Sequence, residues 1–387
     1  MSSNSIIIYL TMFILTLSFT FLAEKFFYTQ YGEKSINVLI GFFFSIIAIL
    51  TPCILAAVRD TSVGGDISVY VLPNYNIAVN SSSFKEFYLL EYPKEELLFS
   101  VLIYLGAKLH NIGIIFFLIE IFTIAPIYYV LYKRRDEASM TIGMGLFLFL
   151  FYNFSLSGMR QSIAMSFMLL AYYLIISKKK RYSVFWIVIA ALFHSSVLLI
   201  VPIYLFAYMV YKMPEKKRKK WYLLIMIILI ILFFFYNNFA SLLQKVVGVV
   251  SGRYAYYISN YLNVYSGIVW GNIHGTDFVC KLLIILLAVL MFKLSNKFDA
   301  NIKYMVFMLM IGRYFVLFNA VFYESLRFAY YFDYLLIIFI PCVIKCVKNN
   351  YANKLIISIG ILLPAFMYWI YFIMMIGGYS TNIYKIR

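Results

Sequence analysis

Apolar stretches long enough to cross a bilayer recur along the whole chain, near residues 5–22, 36–57, 112–132, 140–154, 161–177, 221–236, 278–295, 304–323, 328–344 and 355–377. A helix needs about 20 such residues to span the hydrocarbon core. In lipid every backbone N–H and C=O must be paired within the segment, so each stretch is read as a helix. The expectation is an all-α, polytopic integral membrane protein with about 10–12 transmembrane helices, short or broken ones included, in one helical domain over residues 1–387. Only 13% of residues are charged and 64% are hydrophobic, whereas a soluble domain carries about 25% charged residues. The first 22 residues have no basic leader and no small-residue cleavage site, so they read as a retained first span.

Two stretches do not fit a simple span. Residues 97–109 are too short. Residues 183–211 are too long for one ordinary helix, and they lie between Lys178-Lys179-Lys180-Arg181 and the basic run Lys216 to Lys220. The positive-inside rule puts both flanks in the cytoplasm. The stretch should therefore enter and return as two short helices, with His194-Ser195-Ser196 at the bend; a single steep helix is the alternative. Irregular backbone at membrane depth is tolerated where it lines a cavity, so His194 is expected to face one.

The same rule places Lys133-Arg134-Arg135 and Lys345, Lys348 and Lys354 inside. Segments 59–96 and 237–277 then lie outside, with Arg59, Asp66, Arg160, Arg253, His274 and Arg327 on the outer face. Glu324 and the 325–327 segment fall there as well, and so do Lys385 and Arg387, against the rule. Tyr254, Tyr256, Tyr257, Tyr261 and Tyr265 recur at helical spacing and suggest an amphipathic surface helix.

Basic groups inside or at the edge of apolar stretches are expensive, and they commonly mark a substrate or ion path. Arg160, His194, Arg313 and Arg327 are of this kind, and Arg59 opens a segment just after a span. Arginine binds phosphate bidentately and keeps its charge. Several arginines on one outer cavity suit a lipid-linked diphosphate, whose leaving charge they would neutralise. The bland reading is that each arginine snorkels or pairs with a carboxylate; for the mid-span Arg313, Glu324 and Asp333 are the available partners. His194 has the chemistry of a general base, against a histidine simply bonded at the bend. Gly64-Gly65 beside Asp66 implies a tight turn that lets backbone approach a ligand.

The net charge of +17 is mostly topological. The basic runs are short connectors and do not suggest nucleic acid. Cys53, Cys280, Cys342 and Cys346 lie in apolar surroundings with no metal-ligand spacing. No nucleotide-binding loop, Ser-His-Asp order or zinc motif is present, and no metal or cofactor is expected.

Arg59-Asp60-Thr61-Ser62-Val63-Gly64-Gly65-Asp66 followed by Tyr70 resembles the R-x4-G-x-D-x3-Y signature of the EpsG/Wzy-like polysaccharide polymerases. Arg160-Gln161-Ser162-Ile163-Ala164 resembles that family's R-Q-x-I-A segment. Phe193-His194-Ser195-Ser196 with Pro202 is similar to its F-H-x-S segment, and Ser325-Leu326-Arg327-Phe328-Ala329-Tyr330-Tyr331-Phe332 with Pro341 to its late helix. The four segments occur in family order over residues 55 to 345. Gly65 replaces the usual Thr, and the family's acidic position before the next helix falls on Glu91, Glu95 or Glu96.

The resemblance implies joining of oligosaccharide repeat units carried on undecaprenyl diphosphate, at the outer face of the bacterial cytoplasmic membrane. It implies His194 as base, Arg160 and Arg327 at the diphosphate, and Arg59, Asp66, Tyr70, Gln161 and Tyr331 as substrate contacts; Arg313 has no counterpart in these segments and is expected as a substrate contact only from its place inside a span. Flippase and chain-length regulator proteins are the expected partners, beside the lipid-linked substrates and membrane lipid. A flippase of lipid-linked oligosaccharide, a ligase or single-sugar transferase, and a membrane acyltransferase are the competing readings.

Overall fold

The computed structural model describes residues 3–28, 34–92, 94–235, 274–294, 300–320, 322, 325–346 and 351–387. Among them there is no strand, only an antiparallel bridge between Arg59 and Ile386. The expected surface helix at 254–265, together with Arg253 and Glu324, lies outside these residues.

The described chain falls into two compact units, residues 1–194 with 340–387, and residues 195–339. The first holds α1 (Ser3–Tyr28), α2 (Lys34–Val58), α3 (Leu72–Asn80), α4 (Phe84–Leu90), α5 (Leu97–Lys108), α6 (Ile112–Lys133), α7 (Met140–Leu150), α8 (Tyr152–Ser155), α9 (Met159–Ile176) and α10 (Lys180–Phe193). The second holds α11 (Val197–Lys212), α12 (Glu215–Phe234), α13 (Gly275–Leu294), α14 (Ala300–Phe318) and α15 (Ser325–Asp333). Then α16 (Leu336–Cys346) leads back to α17 (Tyr351–Tyr368) in the first unit.

Among the described residues seven helices are long and apolar enough to cross a membrane: Asn4–Tyr28, Ile36–Val58, Ile112–Lys133, Met159–Ile176, Asn301–Phe318, Ser325–Cys346 and Leu355–Met375. Shorter apolar helices cover Leu97–Lys108, Met140–Leu150 and Val197–Lys212. The protein is therefore an all-α, polytopic integral membrane protein. The stretch expected near 140–154 is shorter than one span, because α7 stops at Leu150 and gives way to the four-residue α8. The segment 59–96, expected outside, is not a plain loop; a π-helical turn (Ile67–Val71), α3 and α4 fill most of it. The long 183–211 stretch is broken as expected, with His194 extended at φ −156° between α10 and α11.

In the first unit α1 packs on α2, α2 on α6, α6 on α9 and α9 on α10. Asn111 and Ser83 cap α6 and α4 by accepting the Gly113 and Glu86 amides at 2.9 and 3.2 Å. The two ends of this unit are chemically distinct. At one end Tyr384 N donates to Ser5 Oγ at 2.9 Å, Asp60 N to Lys385 O at 2.8 Å and Gly64 N to Ser380 O at 3.1 Å. At the other, Thr141 N donates to Glu24 Oε2 at 2.9 Å, and Lys345 Nζ to Tyr28 OH and Arg135 O at 2.9 and 2.6 Å. Ser5 and Glu24 lie far apart on α1, about 30 Å at 1.5 Å per residue. The cations Arg135 and Lys345 thus share one end, as expected. Lys385 and Arg387 share the other with Arg59.

Candidate functional site

The N-terminus of α9 brings a cation to a place that disfavours it. Arg160 is the second residue of that helix, where the exposed amide dipoles repel positive charge. Two carboxylates answer it. Arg160 Nη1 donates to Glu96 Oε2 at 2.8 Å and pairs with Glu95, and its guanidinium lies 4.7 Å from the centre of the Tyr70 ring. Both acids meet the same nitrogen, so the remaining guanidinium donors are not used by them. Arg160 is only 7% exposed, and Phe99 of α5 forms another wall, 5.8 Å away.

Glu96 is also a partner of His194. Its Oε1 lies 3.3 Å from His194 Nδ1, so one carboxylate joins the arginine and the histidine. The geometry follows from the packing. α9 carries the chain away from Arg160, Lys178 turns it at φ +61°, and α10 packs back along α9 to deliver His194 beside Glu96. Aromatic stacking fixes that return: Phe167 of α9 lies 5.0 Å from Trp186 and 6.1 Å from Phe193 of α10. α10 thus runs back along α9, and the 183–211 stretch is broken at His194.

Glu91 sits nearby but elsewhere, with both oxygens 2.8 Å from Ser100 Oγ. Of the three acids open to the sequence reading, Glu95 and Glu96 are the ones on Arg160. Gln161 is buried, with Nε2 3.8 Å from Met165 Sδ. Asp66 is half-buried at the start of the π-helical turn that carries Tyr70.

Arg59 is placed differently from its expected role at the entrance. It is fully buried, with Nη2 donating to Met159 Sδ at 3.5 Å and the guanidinium 4.4 Å above the Phe116 ring. The close backbone approach at Gly64 is made to the chain itself. Gly64 has φ +115°, and a Cβ there would stand 2.4 Å from the Leu156 carbonyl oxygen.

The second unit holds the other predicted residues. Arg313 is 1% exposed and enclosed by carboxylates, paired with Asp333 and 3.3 Å from Asp277 Oδ2. Lys281 completes the set, 2.5 Å from Asp277 and 2.9 Å from Asp333. Asp333, one of the two expected partners, is present; the other, Glu324, lies outside the described residues. Tyr331 OH lies 2.7 Å from Ser196 Oγ, and its carbonyl accepts from Tyr204 OH at 2.7 Å. Arg327 is half-buried and lies one helical turn before Tyr331, on the same face of α15.

The sequence leaves Glu95 and Glu96 unresolved beside Glu91 and offers Asp333 as one of two partners; the buried acids it does not single out are Glu120 and Asp277. The rule that selected Arg160 applies equally to carboxylates inside apolar helices, and Glu120 and Asp333 satisfy it. Among the described residues no group of His, Cys, Asp and Glu is arranged to hold a metal ion.

A family model described as the EpsG family matches residues 42–385, nearly the whole chain. No curated protein and no solved structure matches it.

Proposed function

The chain belongs to the EpsG family of polysaccharide-polymerase-type membrane proteins, and from that premise we propose that it joins oligosaccharide repeat units carried on undecaprenyl diphosphate. The observation that carries the proposal is the shared carboxylate: Glu96 lies between Arg160 and His194, at 2.8 and 3.3 Å. With Nδ1 turned to Glu96, the imidazole offers Nε2 to an incoming sugar hydroxyl. Glu96 orients the ring and stabilises the imidazolium that forms, the logic of a base–carboxylate pair.

The acceptor oxygen forms a new bond to the anomeric carbon of the lipid-linked chain, and its proton passes to His194 Nε2. The anomeric C–O bond to the diphosphate breaks, and the electron pair leaves with the diphosphate. The guanidinium donors of Arg160 that Glu95 and Glu96 do not use are assigned to that developing charge. Gln161 and Tyr70, beside Arg160, are assigned to sugar or phosphate contacts, and Asp66 to the entrance. Arg327 and Tyr331 are assigned to binding of the lipid-linked substrate. No nucleotide sugar takes part, because the diphosphate carrier already activates the anomeric carbon.

The reaction is placed at the outer face of the bacterial cytoplasmic membrane. Arg135 and Lys345 at the far end of the first unit support that orientation.

Purified full-length protein in detergent with polyprenyl-diphosphate-linked repeat units tests the proposal. A ladder of products is expected. A single added unit would indicate a ligase or single-sugar transferase. No growth in detergent, with passage of the lipid-linked unit across vesicles, would indicate a flippase.

A further inference from the structure

Two ionisable residues that the proposed reaction does not use lie fully buried behind the turn that presents Arg160: Arg59 and Glu120. Residues 155–159 form that turn, between α8 and α9. Ser155 Oγ, at its start, is 2.9 and 3.0 Å from the two Glu120 oxygens. Met159, at its end and next to Arg160, accepts from Arg59 Nη2 at 3.5 Å. Between them the Leu156 carbonyl packs on Gly64 of the loop that Arg59 begins.

Arg59 Nε and Nη1 have no hydrogen-bond partner among the described residues, so the Phe116 face and Met159 hold its guanidinium. The two residues hold opposite ends of one short turn, Glu120 at Ser155 and Arg59 at Met159.

We infer that Arg59 and Glu120 are positioning residues, acting through Ser155 and Met159 to aim the Arg160 guanidinium. This rests on the proposed role of Arg160 at the diphosphate. It replaces the expectation that Arg59 contacts substrate.

The test is a double-mutant comparison in cells producing the full chain, with polymer yield measured at matched protein level in the membrane. Ser155→Ala removes the link to Glu120 and is read in the native chain and in Arg160→Lys. A misplacement of about 1 Å can lower a rate by as much as a hundredfold, so a loss of about tenfold is expected in the native chain. Ser155→Thr, which restores a hydroxyl, should recover the yield. In the Arg160→Lys background, itself reduced, Ser155→Ala should lower it no further, the signature of two residues acting as one unit.

Equal fold losses in both backgrounds, or no loss in the native chain, would overturn the positioning role and leave that of Arg160 standing. Undiminished yield from Arg160→Lys alone would overturn both. If Ser155→Ala does not reach the membrane, Glu120→Asp, which shortens the same link, is read in the same two backgrounds with the same expectations.

Discussion

His194 Nδ1 and Glu96 Oε1 stand 3.3 Å apart, although 98 positions separate the two residues in the chain. The contact exists because α10 doubles back along α9 and ends where α5 begins. It turns two features that are ambiguous alone, a histidine at a helix break and an acid before a helix, into one arrangement. The same carboxylate meets Arg160, so its charge is shared between the group assigned to the leaving diphosphate and the group assigned to the acceptor. Protonation of His194 during the reaction would strengthen its pull on Glu96 and loosen the hold on Arg160, which couples the two halves of the transfer.

Gly64 holds the loop against the turn before Arg160, and only glycine adopts φ +115° with ease. Gly64→Ala should destabilise the protein by about 1–3 kcal/mol from backbone strain alone. The added Cβ would also press on the Leu156 carbonyl. Thermal unfolding in detergent measures the first effect, and polymer yield should fall with it.

Arg313 is enclosed by Asp277 and Asp333 with Lys281 alongside. Removing one member of such a set leaves a charge uncompensated in an apolar interior. Arg313→Met is therefore expected to lose about 3–5 kcal/mol of stability, read as low membrane levels and a lower Tm. A replacement that kept full stability and lost only activity would instead assign Arg313 to substrate.

Burial raises the Glu91 carboxyl above the ordinary carboxylate value, and the Ser100 hydroxyl only partly opposes this. A carboxyl with a raised value in the folded state binds its proton more tightly folded than unfolded. Its stabilising effect is therefore present in acid and falls as pH rises through the folded value. Glu91→Gln should raise Tm at neutral pH and change it little below about pH 4. A Tm lowered at neutral pH would show that the Ser100 contact outweighs burial.

The two ends of the first unit carry a prediction about sidedness. In a chain whose native cysteines are replaced, a cysteine at the exposed Ser82 should react with an impermeant maleimide added to intact cells. One at the exposed Asp136, beside Arg135, should react only after permeabilisation. The reverse pattern would place the Arg160 end in the cytoplasm.

Much of the fold was legible, because lipid imposes one rule on every long apolar stretch and cationic flanks mark the sides. The break at His194 followed from the charges around it, without any proline to announce it. Tyr70 and Arg160 were both named from the chain, and they do meet. The acids on Arg160 were not chosen, because Glu91, Glu95 and Glu96 lie in a short polar stretch with no periodicity to say which one faces inward. The terminal segment 378–387 carries no apolar pattern, and it is held by backbone hydrogen bonds to Val58, Asp60 and Gly64 that leave no trace in residue types. An arginine after a span looks the same in sequence whether it faces a substrate or, like Arg59, a buried aromatic ring.

The most direct test of the shared carboxylate is Glu96→Gln, which keeps the shape and removes the charge between Arg160 and His194. Polysaccharide extracted from cells producing this variant at the native membrane level is resolved by length. The account predicts that the ladder collapses to single repeat units, with a loss of about a hundredfold or more in longer polymer. A ladder of native length and yield would contradict it.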